Sequence, residues 1–305
     1  ISAYKHIKEK GLTVEEQKKL TDNFVGYDIS HDMQRLAMVN LYLHHFPDPK
    51  IFEYDTLSSE DRWDDDFDVI LANPPFMTPK GGIKPHSRFS VKSKQAEVLF
   101  TAYISDHITT KGKAGIVVPD GIITRTGSSY SNLRKQLVEA GLWCVVDLPA
   151  GIFQPYSKFK TSVLFIDKSL QSTEIVFTEI SPEKKSSSYE VSTSTSLNIE
   201  QIFSELNEYK STKKTTSHRF KILLKSKIIE SKNAFLKEEY YKEAKSYKKW
   251  GMVPLSEILE ITSEKVADRK NVPVMSITMK DGLVDQGDKF KKRIANVDIS
   301  KYKLV

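Results

Sequence analysis

Four consecutive residues, Asn73, Pro74, Pro75 and Phe76, combine groups that could together hold an amino group on a flat ring. The Asn73 side-chain oxygen and the Pro74 carbonyl are hydrogen-bond acceptors, and the two prolines fix φ and stiffen the turn. Two such acceptors can take both hydrogens of an exocyclic amine and localise its lone pair. Phe76 can stack on the ring, for roughly 1 to 3 kcal/mol. The alternative is a proline-stiffened turn followed by a core phenylalanine.

The residues before this turn predict a strand that delivers it to one edge of a sheet. Phe67 to Ala72 has the apolar run of a buried parallel strand. Helical and β-branched stretches alternate from residue 1 to about 168, which predicts a doubly wound α/β sheet. Its predicted strands are Phe24 to Asp28, Lys50 to Tyr54, Phe67 to Ala72, Ala114 to Pro119, Trp143 to Leu148 and Thr161 to Asp167. Its predicted helices are Asp32 to His45, Lys94 to Thr109 and Arg125 to Ala140.

Composition favours a protein that meets an anionic partner. The 305 residues carry a formal net charge of +6, with 39% hydrophobic and 28% charged residues, which modestly favours nucleic acid. The single cysteine, Cys144, excludes an intramolecular disulfide and suits a reducing cytoplasm. No run is long and apolar enough to cross a membrane, and the histidines lack the spaced partners of a metal site.

The later part of the chain differs in composition from the predicted sheet. After a short strand at Glu174 to Glu179, residues 181 to 249 predict a flexible segment and then one or two exposed helices that act as a spacer. From residue 250 to 305 the pattern is β-like again. The predicted organisation is therefore a domain over 1 to 180, a linker over 181 to 249 and the start of a β-rich module.

The motif at Asn73 to Phe76 resembles motif IV of the amino-methyltransferases. The resemblance extends to the runs Gly115 to Gly121, Val146 to Phe153 and Lys160 to Ile166, which are similar to the modification subunit of type I restriction-modification systems over residues 1 to about 170. It implies a Rossmann-like class I methyltransferase fold. The implied activity is N6-methylation of a flipped adenine in double-stranded DNA by S-adenosylmethionine, with Asn73, Pro74, Pro75 and Phe76 as catalytic residues.

The same resemblance implies where S-adenosylmethionine is held. Asp28, followed by Ile29, is placed like the acidic residue that binds ribose hydroxyls, and Asp55, followed by Thr56, matches the position that accepts from the adenine amine. Asn73 borders the same site. The alternatives are a helix N-cap for Asp28 and a turn carboxylate for Asp55.

One family feature has no counterpart in this sequence. The glycine-rich motif on the first strand of the family's sheet lies just before a segment like Ile1 to Ile7, and no other glycine cluster replaces it. We therefore expect that the 305 residues alone form a sheet that is incomplete at its N-terminal strand and do not bind S-adenosylmethionine.

The loop after the motif is a candidate DNA contact. Thr78 to Arg88 is rich in glycine, proline and cations, and Lys80, Lys84 and Arg88 could neutralise phosphates around the flipped base. An exposed, solvated loop with no partner is equally compatible with this composition.

The end of the chain has a second, weaker resemblance. Val274 to Ile277, Asp281 to Val284, Phe290 to Ala295 and Asp298 to Tyr302 look like the start of a target-recognition domain of the specificity-subunit type. Modification and sequence reading would then share one polypeptide. The alternative is a generic β-rich appendage, with sequence reading by a separate specificity subunit. The alternatives for function are an RNA or protein-glutamine N-methyltransferase, or a non-catalytic DNA-binding or scaffold subunit.

Overall fold

The computed structural model of the chain describes residues 1–76, 78, 82–180, 195–215 and 217–242, and shorter stretches at 253–254, 257, 265–266, 272–278 and 282–286. The chain divides into two compact units, Ile1–Lys242 and Glu243–Val305. Within the described residues, no helix is long and apolar enough to cross a bilayer.

The first unit alternates helices and strands as the sequence predicts. Its helices are α1 Ser2–Lys8, α2 Val14–Asp22, α3 His31–Leu43, α4 Ala96–Asp106, α5 Asp120–Thr124, α6 Ser128–Glu139, α7 Thr195–Thr212 and α8 Lys225–Glu230, with a 3-10 turn at Glu238–Tyr241. Its strands are β1 Val25–Asp28, β2 Lys50–Glu53, β3 Phe67–Ala72, β4 Ile108–Pro119, β5 Leu142–Asp147, β6 Thr161–Asp167, β7 Glu174–Glu179 and β8 Lys221–Leu224. The predicted bounds of β3, β6 and β7 agree with the structure residue for residue.

Six of these strands form one sheet in the order β3-β4-β6-β5-β7-β8. β3 is parallel to β4 and β5 to β7, while β6 is antiparallel to both β4 and β5. Strands β3, β4, β5 and β7 therefore run in the same direction and end at the same edge of the sheet. The motif at Asn73 follows the first of them.

Helices cover both faces of the central part of this sheet, which confirms the predicted doubly wound architecture. On one face, α4 and α6 bury residues such as Leu99 and Leu133 against Ile116 and Leu164 of the strands. On the other, α7 places Ile202, Leu206 and Tyr209 at helical spacing against Trp143, Val146 and Val176. Burial on two faces explains why these strands read as continuous apolar runs.

Strands β1 and β2 form a separate two-stranded parallel sheet. The sequence placed them in one sheet with the other strands, and the structure differs on this point. β3 is an edge strand of the six-stranded sheet and pairs with β4. Its side chains Val69 and Leu71 are 59% and 65% exposed. The face of β3 opposite Ile70 and Ala72 is thus a less covered part of the six-stranded sheet.

Residues 195 to 242 are built into the first unit and do not form the exposed spacer that the sequence suggests. β8 adds to the sheet next to β7. The fully buried Arg134 donates hydrogen bonds to the carbonyls of Asn233, Ile122 and Arg125. Burial lowers the pKa of this guanidinium to about 10, so it stays charged near neutral pH. The sequence pattern predicted an exposed region because Lys and Glu residues of its outer surface alternate with the apolar residues of its buried face.

The second unit contains an antiparallel hairpin of β9 Met275–Thr278 and β10 Gly282–Asp285, in which Thr278 pairs with Gly282. This agrees with the predicted β-like character of the region around residues 274 to 284. The predicted flexible stretch before residue 195 and the run Phe290 to Tyr302 lie outside the described residues.

Candidate methyltransferase site

The motif Asn73 to Phe76 emerges from a strand that is fixed on its inner face. Ala72 pairs with Ile116 of β4, and Ile70 and Ala72 pack against the core beneath α4. Beyond Ala72, Asn73 is exposed and Phe76 is half-buried. The Asn73 side chain is therefore not packed inward, and its amide is available to a ligand at the carboxyl edge of the sheet.

Two phenylalanines that sequence analysis did not single out stand around Phe76. The ring centroid of Phe76 lies 6.5 Å from that of Phe153 and 6.4 Å from that of Phe159, with the planes at 74° and 83°. Such edge-to-face contacts are favourable for aromatic rings. Neither neighbour therefore stacks in parallel on the half-buried Phe76 ring. The signal in the sequence was a pair of aromatics in the segment after β5, a strand that ends at the same edge as β3.

The loop that carries these phenylalanines is tied down at both ends. It begins where Leu148 N–H donates to the Thr161 carbonyl, at 2.9 Å, and it ends where Asp120 N–H donates to the Lys160 carbonyl, at 3.0 Å. Gly151 supplies the positive φ of 80° that its first turn needs. The aromatic surroundings of Phe76 are thus held by the sheet on two sides.

Asp28 and Asp55 lie together at the end of the two-stranded sheet. The Tyr54 N–H donates to the Asp28 carbonyl at 3.0 Å, which continues the β1–β2 ladder. The Asp28 Oδ1 accepts from the Ser30 N–H at 2.8 Å, and it is Ser30, not Asp28, whose hydroxyl accepts at the start of α3. The N-cap alternative for Asp28 is therefore not what the structure shows, although its carboxylate does brace that turn.

The carboxylate of Asp55 takes part in its own turn, as the second alternative expected. Its Oδ1 accepts from the Leu57 N–H at 3.0 Å, and the Ser58 hydroxyl donates to its other oxygen. The two residues that follow the acids differ, since Ile29 is 68% exposed and Thr56 is half-buried. A carboxylate has about four lone-pair sites, so acceptor capacity remains at both acids.

Side chains connect the small sheet to the start of β3. The Tyr27 hydroxyl donates to Asp65 at 2.6 Å, and the Tyr27 ring lies 6.1 Å from that of Phe67. Burial and this hydrogen bond raise the pKa of Tyr27 well above its usual value. Arg62 lies over the Phe52 ring at 3.5 Å. The acids and Asn73 are therefore carried by neighbouring but separate sheets.

A family model described as N-6 DNA Methylase matches residues 1–249, a span that includes Asp28, Asp55 and the whole motif at Asn73. The chain belongs to the N-6 DNA Methylase family.

Several relatives of this methylase chain are subunits of type I restriction enzymes. The EcoEI methylase subunit of Escherichia coli is 30% identical over 181 residues, which are 58% of this chain and 37% of that subunit. The StySPI methylase subunit of Salmonella potsdam is 28% identical over 48% of this chain and 28% of its own length. The chain thus spans well under half the length of these relatives.

Solved structures share the fold of this methylase chain. A chain from a structure of a type I restriction-modification system superposes with a TM-score of 0.67 at 24% identity, over 84% of this chain and 54% of that chain. The EcoKI M protein, also of a type I restriction enzyme, gives 0.58 at 20% identity over 74% and 55%. The architecture predicted from the sequence is confirmed.

The loop after the methylase motif is anchored along its second half. The buried His86 stacks on Trp63, with ring centroids 5.0 Å apart, and pairs with Glu60. Arg88 forms an ion pair with Asp64 at 2.5 Å, which raises the pKa of Arg88 and lowers that of Asp64. Lys84 is exposed, and Lys80 lies outside the described residues. Of the three predicted DNA-binding cations, Arg88 thus already has a protein partner.

A polar cleft of about 400 Å³ lies farther along the same edge of the sheet, at the ends of β5 and β7. Its charged lining mixes both signs, with Asp147, Glu179, Glu238 and Glu239 facing Lys160, Arg219, Lys221 and Lys237. Since neighbouring strands are about 4.8 Å apart, the end of β5 is about 14 Å from the end of β3. The cleft is therefore not the pocket of Asn73.

Proposed function

We propose that this chain is the catalytic part of a site-specific DNA adenine N6-methyltransferase of a restriction-modification system. The observation that carries the proposal is the exposed Asn73 amide beside the half-buried, edge-contacted Phe76, at the carboxyl edge of the sheet in a member of the N-6 DNA Methylase family. The methylase subunits among its relatives support restriction-modification as the setting. Action on duplex DNA in the cytoplasm is part of the proposal.

The residues of the motif act on the amine of an adenine that has left the duplex. The Asn73 oxygen and the Pro74 carbonyl accept its two hydrogens, which favours the tetrahedral nitrogen over the flat, delocalised one. Extruding the base costs a few kcal/mol, and stacking on Phe76 offsets about 1 to 3 kcal/mol of that. Phe153 and Phe159, which contact the Phe76 ring edge-on, hold that ring in place and keep water from its covered side. Pro75 stiffens the turn.

S-adenosylmethionine, when bound, would supply an electrophilic methyl group. The donor set of this chain fits its nucleoside part. Asp28 braces its turn through Oδ1, so Oδ2 is placed to accept from ribose hydroxyls. Asp55 is oriented by its bonds to Leu57 and Ser58 and accepts from an adenine amine. The exposed Ile29 offers an apolar surface to the flat base, and Thr56 lines the same turn.

DNA and a sequence reader are the partners that the proposal requires. Lys80 and Lys84 would neutralise phosphates next to the extruded adenine, with Arg88 acting mainly to fix the loop through Asp64. The β9–β10 hairpin is compatible with the start of a target-recognition domain. A separate specificity subunit is the other source of sequence reading.

The test is methylation of host DNA by the protein expressed from its own locus in a strain that lacks adenine methylation. Wild-type protein should add N6-methyladenine at one sequence, which single-molecule sequencing identifies. Asn73→Ala should lower turnover on the order of 100-fold or more, since an acceptor in the reacting geometry is lost, with DNA affinity largely kept. Asn207→Ala, at an exposed position of α7, is the matched control and should be fully active.

Assays of the same preparations with RNA and with a glutamine-containing peptide as substrates decide between the substrate classes. Methylation of either in preference to duplex DNA would replace the proposal with that activity. Unmodified DNA together with retained DNA binding would favour a non-catalytic DNA-binding subunit.

A further inference from the structure

The loop between β5 and β6 exposes large apolar side chains beside the proposed base site. Tyr156 is 95% exposed, Phe159 54% and Ile152 44%. Single exposed apolar residues are common on protein surfaces, but three on one short loop are unusual, and we call this segment from Ile152 to Phe159 the apolar patch. The patch lies next to Phe76, because Phe159 of the same loop contacts that ring.

Tyr156 is held outward by a braced segment. The Ser157 N–H donates to the Phe153 carbonyl at 2.9 Å, which closes a helical turn around Tyr156. Phe153 and Phe159 on either side of it pack edge-on against Phe76. Since Tyr156 is three residues from each of them, its Cα lies within about 11 Å of both of theirs. An aromatic ring is thereby presented to solvent on the loop whose Phe153 and Phe159 contact Phe76.

The charge around Tyr156 suits an anionic partner. From Leu148 to Lys160 the sequence has two lysines, Lys158 and Lys160, and no Asp or Glu. Both lysines are exposed, and Lys160 also lies 3.7 Å from Asp147. Aromatic side chains interleaved with cations are the combination that binds nucleic acid, with rings stacked on bases and cations on phosphates.

We propose that Tyr156 enters the DNA duplex where the adenine leaves it and stacks on a base that this departure exposes. The inference rests on the proposed function, because it needs a base that is extruded towards Phe76. The extruded state leaves a gap in the stack, and an aromatic ring carried on a braced backbone turn of this loop can fill that gap. Lys158 contacts the adjoining backbone and keeps the loop against the groove.

The experiment compares two duplexes that carry the methylation site found for the wild-type protein. In one the target adenine is paired with thymine, and in the other it faces an abasic position and is already unpaired. Tyr156→Ala should lower kcat/KM about 10- to 100-fold on the paired duplex, the range that loss of one stacked base implies. On the abasic duplex it should stay within about threefold of wild type, since little base pairing remains to be broken.

Two further variants separate stacking from folding. Tyr156→Phe keeps the ring and should retain wild-type kcat/KM on both duplexes. Tyr42→Ala removes an exposed tyrosine from α3 and should change neither. With 2-aminopurine in place of the target adenine, the fluorescence rise that reports extrusion should be reduced in Tyr156→Ala and restored in Tyr156→Phe.

The outcomes that overturn the inference differ from those that overturn the proposed function. Equal losses on both duplexes would make Tyr156 a structural residue, and an unchanged kcat/KM on the paired duplex would remove it from the DNA interface. If wild-type protein methylates neither duplex, the proposed function itself fails.

Discussion

The ends of β3 and of the β1–β2 pair present polar side chains in two different ways. Asn73 follows a strand that is paired with β4 and packs its partly buried Ile70 and Ala72 against the main core, and its own side chain is left exposed. Asp28 and Asp55 end a two-stranded sheet next to α3, a helix without a fully buried residue, and both carboxylates are used in their own turns. Asn73 is positioned by the core, whereas the two acids are positioned by local hydrogen bonds.

This difference has a consequence for catalysis and binding. A group that polarises a reacting amine must stay within a fraction of an ångström of its place, so a strand fixed by a core suits it. Groups that hold a cofactor can tolerate more adjustment, since their contacts are made before the reaction. Four measurements test this difference between the two regions.

The largest expected effect is in amide hydrogen exchange of the folded protein. The amides of β4, β5 and β6 should exchange on the order of 1000-fold more slowly than those of β1 and β2. The six-stranded sheet opens only with the whole core, whereas a two-stranded sheet opens locally. Peptide-resolved mass spectrometry measures both. Equal protection of the two sheets would show that the acids lie in an equally rigid frame.

The next effect concerns the buried guanidinium that ties α6 to the segment after α8. Arg134→Met leaves the carbonyls of Ile122, Arg125 and Asn233 without their donor. It should lower the free energy of unfolding by about 3 kcal/mol, because unsatisfied buried acceptors cost about 1 to 3 kcal/mol each and are partly relieved by relaxation. Urea denaturation measures this change.

The control for that measurement is Arg219→Met, at an exposed position, where a change within about 0.5 kcal/mol is expected. If Arg134→Met lowered the free energy of unfolding by as little as the control, the position of residues 231 to 236 would not depend on the hydrogen bonds of Arg134.

A smaller effect is expected for the acids. Asp28→Asn and Asp55→Asn should each weaken S-adenosylmethionine binding about tenfold, since an amide keeps one acceptor for the turn but offers a donor where the ligand also donates. Calorimetry on the protein purified from its own locus measures the Kd. The control Asp22→Asn, at the exposed end of α2, should bind as wild type. An unchanged Kd for S-adenosylmethionine in Asp55→Asn would show that Asp55 stabilises its own turn and does not contact the cofactor.

The smallest effect separates the cations of the loop after the motif. Lys84→Gln should reduce the slope of log K against log salt for DNA binding by about 0.9, the value for one phosphate contact. Arg88→Gln should change it by less, because its guanidinium is paired with Asp64. Adding Lys80→Gln to both should give the largest change. A slope that stays the same in the triple variant would exclude this loop from the DNA interface.

Much of the fold could be predicted because the central strands β5, β6 and β7 are largely buried, and β3, although partly exposed, keeps an apolar run. Phe67 to Ala72 and Thr161 to Asp167 read as strands on apolar content alone, and the structure places them as predicted. Residues 195 to 242 could not be read in this way. Their buried face, with Ile202, Leu206 and Tyr209, is mixed with exposed Lys and Glu, and the strand Lys221–Leu224 has only one buried residue.

The residue types alone were enough to predict the chemistry proposed for Asn73 to Phe76, because two acceptors, two prolines and an aromatic ring on adjacent residues need only a local turn to act together. The surroundings of that turn depend on the packing of the folded chain. That packing brought Phe153 and Phe159 to Phe76 and turned Tyr156 outward. It also set Arg88 against Asp64 and divided the strands between two sheets. These contacts join residues far apart in the chain, and their geometry depends on how the elements pack rather than on any local pattern.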